Sequence, residues 1–121
     1  MRHDVTDADT AAALGSGDVP VLGTPRLIAW LEAATVRAAA GSLNPGQTTV
    51  GTAIRVEHRR PTVVGGSVEI TATRRNAVGR RLTFEVLAVD GSGQVVAEGQ
   101  IDRVIVDRDR FLEAAQPKGA P

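Results

Sequence analysis

The sequence predicts an α+β fold in which a curved antiparallel sheet wraps around one long helix. The first observation is a single long segment of helical periodicity, TPRLIAWLEAATVRAAA, over residues 24–40. The second is that four segments rich in β-branched residues follow it, separated by short turn signals. Because a sheet must bury one face and this helix is the only large element available to cover it, the two are expected to pack together.

Two helices are predicted before the strands. Thr6, followed by DADTAAAL, has the composition of a short capped helix. In the long helix we predict Thr24 as the N-cap, Pro25 as the first helical residue and Gly41 as the end. Spacings of three and four residues predict a buried face formed by Leu27, Ile28, Leu31, Ala34, Thr35 and Ala38.

The strand-rich part is predicted to be one antiparallel meander. Its strands are TTVGTAIRVEH, SVEITATRRNA, RRLTFEVLAVD and QVVAEGQIDRVIVD. The turn sequences AVGR and DGSG are short enough for hairpins. A short strand is allowed at residues 1–5, and RFLEAA suggests a last turn of helix. A curved sheet of this kind leaves an edge strand through which two copies can pair.

Length and composition indicate one domain. A chain of 121 residues can form one domain with a core but is too short for two ordinary ones. We assign the domain to residues 1–115 and expect 116–121, QPKGAP, to form a flexible tail. Trp30, Phe84 and Phe111 are the only aromatic residues. A core of small aliphatic side chains often leaves apolar surface for a second copy, so a homodimer is expected and a higher oligomer is allowed.

Charge and residue types exclude several function classes. Fourteen basic and fourteen acidic side chains leave no net charge, so neither nucleic acid nor an anionic membrane is an expected partner. Without cysteine and with two histidines, no disulfide, metal site or thiolate nucleophile is expected. The sequence has no phosphate-loop, dinucleotide or G-x-S-x-G motif, and no cofactor is expected. It also lacks a signal segment and an apolar run of membrane-spanning length, so we expect a cytoplasmic protein.

Glu32 is the one carboxylate on the apolar helix. Ile28 and Val36 lie one turn before and after it, which places Glu32 along an apolar strip. An ion pair with an arginine, such as Arg37 or one from the sheet, is one explanation. A buried carboxylate without a partner is costly, and a histidine from the sheet is the other candidate partner.

His58 is the histidine best placed for chemistry, because His3 lies near the N-terminus and no functional role is expected for it. It ends the strand VGTAIRVEH, and the alternation of strand side chains puts it on one face with Ile54 and Val56, toward the helix. A structural interior histidine is the simpler explanation of this position. Together with Glu32, His58 would instead provide a base and an acid in one apolar crevice.

Thr24 and Gly51 complete the set of candidate residues. A threonine at the helix mouth places a hydroxyl near free N–H groups that stabilise anions. A glycine inside a strand often marks a bulge or a close approach of the backbone. Arginine pairs at 59–60, 74–75 and 80–81 are either solvated strand ends or phosphate-binding groups, and they lack the aromatic neighbours of a nucleic-acid surface.

The series TPRLIAWLE, LNPGQTTVGTAIRVEH, PTVVGGSVEITA, GRRLTFEVLAVD and DRVIVDRDRF, over residues 7–111, resembles the hotdog-fold thioesterases related to fluoroacetyl-CoA thioesterase. The resemblance implies a homodimeric hotdog enzyme that hydrolyses an acyl-CoA. It also implies a catalytic group of Thr24, Glu32 and His58, with a substrate contact at Gly51. Whether Glu32 is the nucleophile or a base toward water stays open, as do the acyl group and the arginines that contact coenzyme A. Because LGSGDVPVLG, before Thr24, lacks the aromatic residues of the fluoroacetyl specialist, we do not expect fluoroacetyl selectivity.

Two other hypotheses stay open at the level of sequence. One is a non-hydrolytic acyl-CoA-binding or hydratase-like hotdog protein. The other is a structural dimer without a small ligand, in which Glu32 and His58 form a buried pair.

Overall fold

A computed structural model describes residues 1–117 as a five-stranded antiparallel sheet with one long helix packed on it. The strands are β1 (Arg2–Asp4), β2 (Gln47–His58), β3 (Ser67–Val78), β4 (Arg81–Asp90) and β5 (Val95–Asp107). The helices are α1 (Ala11–Leu14), α2 (Thr24–Ala39) and α3 (Arg108–Ala114), with 3-10 turns at Asp7–Asp9 and Ala40–Ser42. The predicted long helix, the four long strands and the short first strand are confirmed. Most of the predicted tail, residues 118–121, lies outside the described residues.

The predicted meander is correct for β3, β4 and β5 but wrong for β2. The strand order is β1-β3-β4-β5-β2, so β2 pairs with β5 and forms an edge of the sheet. The connection at residues 59–66 is too long for a tight hairpin, and Val63 within it pairs with Val21, just before α2. This detour past the start of the helix carries the chain away from β2 before β3 begins.

Helix α2 buries one face against the inner face of the sheet. Leu27, Leu31 and Thr35 are fully buried on the helix, in a core that includes Ile70 and Ile101 from the sheet. Each large aliphatic side chain buried in this way contributes about 1.5 to 3 kcal/mol. The predicted buried face is shifted at its end, since Ala39 rather than Ala38 is buried. The polar groups described below therefore rest on a rigid helix and sheet.

A β-bulge in β2 changes which side chains face the helix. Gly51 pairs with Arg103 and Ala53 pairs with Asp102, so Thr52 is an extra residue in the strand. An extra residue interrupts the alternation of side chains and turns the following residues to the other face.

The bulge places residues from both halves of β2 on the inner face. Before it, the Cα–H of Gly51 faces the Glu32 carboxylate on α2. After it, Val56 packs against the core and His58 reaches Thr24 at the start of α2. In an uninterrupted strand that kept Gly51 on the inner face, His58 would lie on the outer face.

His3 has a packing role in this fold. Its ring stacks on Trp30 of α2 with ring centroids 4.4 Å apart, which joins β1 to the helix. Burial, followed by the N-terminal charge, lowers the pKa of His3, so the stacked ring is neutral.

Within residues 1–117, no helix combines the length and the apolar character that a membrane span requires.

Candidate functional site

Thr24 and His58 form the first of two polar groups on the inner face. The Oγ1 of Thr24 lies 2.8 Å from Nδ1 of His58. The predicted N-cap is wrong by one residue, because Gly23 has the extended backbone of a cap and its carbonyl accepts the first helical bond, from Leu27 N–H. The hydroxyl of Thr24 makes no capping bond and is available to the imidazole.

The environment of His58 favours the neutral imidazole. Burial lowers its pKa, and an interaction with the backbone of Arg60 opposes this shift only in part. Nε2 is buried and has no hydrogen-bond partner among the described residues. Because Nε2 is enclosed, a proton reaches or leaves the neutral ring through Nδ1 and the exposed hydroxyl of Thr24.

Glu32 and Arg103 form the second polar group. Glu32 Oε2 lies 3.4 Å from Arg103 Nη1, and the side chains are 36% and 8% exposed respectively. Arg103 is fixed from behind by Thr49, donating from Nε to Oγ1 at 2.8 Å and from Nη2 to the carbonyl at 3.1 Å. A fixed guanidinium thus holds one oxygen of a carboxylate that remains accessible.

Gly51 provides the space for this carboxylate. A Cβ at position 51 would lie 2.8 Å from Glu32 Oε2, closer than a carbon atom and a nonbonded oxygen can approach without displacement. Both sequence interpretations of Gly51 are confirmed, since it borders the bulge and lies at a close approach.

Within one chain the two polar groups lie apart. Gly51 and His58 are seven positions apart on β2, which corresponds to about 20 Å. The expectation that Glu32 and His58 meet in one crevice is therefore not met inside a single chain. Arg103, an arginine from the sheet, is the partner of Glu32, in agreement with the alternative explanation.

Arg103 and Thr49 are the residues of the site that sequence reasoning missed. In the segment IDRVI, Arg103 alternates with Ile101 and Ile105, which are buried and half-buried on the inner face. An arginine in phase with inward-facing isoleucines is a recognisable signal for a buried cation that needs an anionic partner. Among residues 1–117, no cluster of three or more His, Cys, Asp or Glu side chains could hold a metal ion.

Replacing Arg103 tests whether it positions Glu32. We expect Arg103→Met to lower kcat for the hydrolysis that the sequence resemblance implies roughly 10-fold. The free energy of unfolding should fall by about 2 kcal/mol, because Glu32 and the Thr49 carbonyl lose a buried donor. Arg103→Lys should recover part of kcat, since it keeps the charge without the fork of donors. Steady-state kinetics and urea unfolding measure both effects.

The control for this prediction is Arg75→Met, which removes an exposed arginine from its ion pair with Glu85 on the outer face. It should change stability by no more than about 1 kcal/mol and leave kcat unchanged. An Arg103→Met protein that is destabilised but keeps a normal kcat would contradict the positioning role.

Comparison with known proteins decides the family. The family model described as fluoroacetyl-CoA-specific thioesterase matches residues 5–109. The chain belongs to this family. A fluoroacetyl-CoA thioesterase from Streptantibioticus cattleyicolor is 37% identical over 98 residues, which cover 81% of this chain and 70% of that protein.

Solved structures agree with this assignment. A mutant of the fluoroacetyl-CoA-specific thioesterase, in complex with fluoroacetate and CoA, superposes with a TM-score of 0.89 at 31% identity, covering 99% of this chain and 98% of that one. A hot-dog-like protein from Thermanaerovibrio acidaminovorans has a TM-score of 0.88 at 24% identity, covering 100% of this chain and 89% of the other, and supports the fold alone. The predicted hotdog fold is confirmed.

Proposed function

We propose that this family member hydrolyses an acyl-CoA thioester to a carboxylic acid and free coenzyme A. The observation that carries the proposal is the Glu32 carboxylate held beside Gly51 of β2, on the same inner face of the sheet on which His58 of β2 contacts Thr24 of α2. A thioester lacks the resonance of an amide and its thiolate is a good leaving group. Hydrolysis therefore needs mainly an activated nucleophile and stabilisation of the oxyanion.

We infer that the working unit is a homodimer formed through the free edge of β2. Residues Gly51 to Arg55 are exposed although they lie in the middle of a long strand. Ile54 there is 46% exposed, and Val36 on α2 is 48% exposed. A long bare edge beside apolar side chains is a surface that proteins normally cover.

Symmetric pairing of this edge with the same edge of a second copy would bring the two polar groups together. In an antiparallel pair of identical strands the two-fold axis passes through the middle of the paired segment, here near Ala53 and Ile54. The partner's His58 would then lie opposite residues 48–50 and next to Gly51. Each complete site would combine Glu32 and Gly51 of one copy with the partner's Thr24 and the partner's His58.

In such a site each residue has a defined chemical task. Glu32 either attacks the thioester carbonyl carbon or removes a proton from the water that attacks it. When Glu32 acts as a base, the C–S bond of the tetrahedral intermediate breaks and His58 carries the proton taken from the water to the departing thiolate. When Glu32 attacks, the C–S bond breaks to leave an anhydride and a thiolate. Neutral His58 then takes a proton from the water that opens the anhydride, which frees the carboxylic acid and Glu32, and passes this proton to the thiolate. Thr24 holds the imidazole through Nδ1, and backbone N–H groups near Gly51 would receive the charge on the carbonyl oxygen.

The proposal is tested by thiol release from a panel of acyl-CoA substrates, with the carboxylic acid identified by mass spectrometry. We expect stoichiometric acid and coenzyme A from at least one substrate, and a dimeric mass by light scattering. Crotonyl-CoA is included because its hydration without thiol release would indicate the hydratase-like alternative. A panel in which no thiol appears would overturn the proposed function.

The lowered pKa of His58 predicts the acid side of the pH profile. Burial disfavours the imidazolium, so kcat/KM should be level at pH 7 and fall only below an apparent pKa under the ordinary value of 6.5. The free energy of unfolding should also fall as the pH is lowered below 6.5. The unfolded chain takes up a proton on His58 near pH 6.5, whereas the folded chain does so only at its lower pKa, so acid favours the unfolded state over this range. Kinetic profiles measured at constant ionic strength check this.

His3→Gln is the matched control for the pH profile, because the pKa of His3 is also lowered by burial. The variant should keep the acid limb of the wild type. An apparent pKa at or above 6.5 in both proteins would contradict a neutral His58 and would indicate that Glu32, brought next to the partner's His58 in the proposed dimer, holds the proton on the ring.

We also propose a cytoplasmic location. Coenzyme A thioesters carry several phosphate charges and do not cross a bilayer unaided, so the enzyme should act where its substrate is formed. Fractionation of the native cells tests this location.

A further inference from the structure

A cleft of about 320 Å³ opens beside Thr24 and His58. Its apolar wall consists of Ala11, Val19, Val21, Leu22 and Pro61, and the polar side chains of its lining are those of Ser16, Thr24, His58 and Arg59. A larger depression of about 490 Å³ lies on the outer face of the sheet, where charged strand residues line it and neither Thr24 nor His58 takes part. The smaller cleft is therefore the one next to the candidate catalytic residues Thr24 and His58.

The charges around this cleft do not favour the binding of an anionic ligand. Among residues 1–117, Arg59 is the only charged side chain that lines it. Its Nη2 lies 2.9 Å from Glu57 Oε2 and 2.7 Å from Glu98 Oε1, so two carboxylates neutralise one guanidinium. The phosphates of coenzyme A would gain little here, whereas an uncharged hydrocarbon group meets an apolar wall.

Backbone hydrogen bonds hold the loop that forms the outer wall. Ala11 N–H donates to the Val21 carbonyl at 2.8 Å, and Ala12 N–H donates to the Val19 carbonyl at 3.1 Å. Leu22 N–H donates to the Thr62 carbonyl at 2.8 Å. These bonds fix the loop on both sides of the cleft, which is therefore formed before any ligand binds.

We propose that the cleft is the acyl-binding pocket and that the enzyme prefers apolar acyl groups of about six to eight carbons over acetyl or fluoroacetyl groups. An apolar protein cavity of about 150 Å³ holds a benzene molecule, so a cleft of about 320 Å³ that is open to solvent has room for a group of that size, whereas a two-carbon group would contact only part of its wall. This inference rests on the proposed function and adds the substrate class to it.

The test compares kcat/KM for acetyl-, fluoroacetyl-, hexanoyl- and benzoyl-CoA in the wild type and two variants that narrow the cleft. Val19→Phe enlarges a half-exposed wall residue. Gly17→Leu directs a side chain toward Ala11, because a Cβ at position 17 has ordinary contact with Ala11 Cβ at 3.4 Å. Val78→Phe is the control, at an exposed position at the opposite end of the sheet.

In the wild type, hexanoyl- and benzoyl-CoA should exceed acetyl-CoA by roughly 10-fold or more in kcat/KM. Both narrowing variants should lower kcat/KM for the larger substrates roughly 10-fold and change kcat/KM for acetyl-CoA by no more than about two-fold. Val78→Phe should leave kcat/KM unchanged for every substrate. A wild-type preference for acetyl- or fluoroacetyl-CoA would overturn the proposal. An equal loss on all substrates in the narrowing variants would also overturn it.

If no substrate is hydrolysed, the proposed function fails. Titration calorimetry with the intact acyl-CoAs then tests separately whether the cleft binds the acyl group. Hexanoyl-CoA should then bind at least roughly 10-fold more tightly than acetyl-CoA, and Val19→Phe should remove the difference. Equal affinities in the wild type would show that the cleft does not receive the acyl group.

Discussion

Replacing Glu32 by glutamine should lower kcat/KM roughly 10³-fold while leaving the fold and the oligomeric state of the protein unchanged. The amide keeps the size of the carboxylate, so the packing against Gly51 is preserved. It can neither attack a thioester carbonyl nor take a proton from water. His58→Ala should produce a loss of similar size, because the proton transfer to the departing thiolate then has no carrier.

The matched control is Glu85→Gln. Glu85 Oε2 lies 2.7 Å from Arg75 Nη2 in an exposed ion pair on the outer face. Its loss removes the same charge from a carboxylate that also pairs with an arginine, and should change stability by no more than about 1 kcal/mol. Normal kinetics in both Glu85→Gln and Glu32→Gln would mean that Glu32 is only a structural partner of Arg103.

Mixing the two inactive proteins tests where Glu32 and His58 meet. If each site takes Glu32 from one copy and His58 from the other, a mixed dimer contains one intact site and one doubly altered site. Random exchange of subunits should then restore about a quarter of the wild-type activity. If each chain contains a complete site, no mixture can exceed its components, and the dimeric arrangement proposed for the active site would have to be abandoned.

The main elements of the fold were predictable because local patterns specify them. The helix from Thr24 and the four strands each have the periodicity of the element that they form. The position of β2 at the edge was not predictable in this way. Strand order depends on which faces and edges meet in three dimensions, and the long connection at residues 59–66 carries no local signal for the choice between β3 and β5.

The site was predictable as residue types but not as a set of contacts. Glu32 stands out as a carboxylate on an apolar helix, and His58 stands out at the end of its strand. The extra residue Thr52 decides that His58 and Gly51 share a face, and a one-residue bulge leaves little trace in composition. Arg103 was missed as the partner of Glu32 because the two are 71 positions apart and meet only through the packing of α2 on the inner face of the sheet.

Replacing Gly51 by alanine should lower kcat/KM roughly 10²-fold with little loss of stability. The new Cβ would lie 2.8 Å from Glu32 Oε2, so the carboxylate must move, and a displacement near 1 Å is enough for a loss of this size. The backbone of Gly51 is outside the left-handed region and the residue is exposed, so alanine should cost no more than about 1 kcal/mol. Gly41→Ala is the control, because a Cβ there meets no atom within 4 Å.

The double variant Glu32→Gln with Gly51→Ala separates two roles of Gly51. If the glycine only gives space to the carboxylate, its replacement acts through Glu32 and should cost almost nothing once Glu32 is gone. If the backbone near Gly51 also stabilises the oxyanion, the added methyl group should lower the residual activity of Glu32→Gln further. A Gly51→Ala enzyme with wild-type kinetics would contradict both roles, because the carboxylate would then work equally well from a different position.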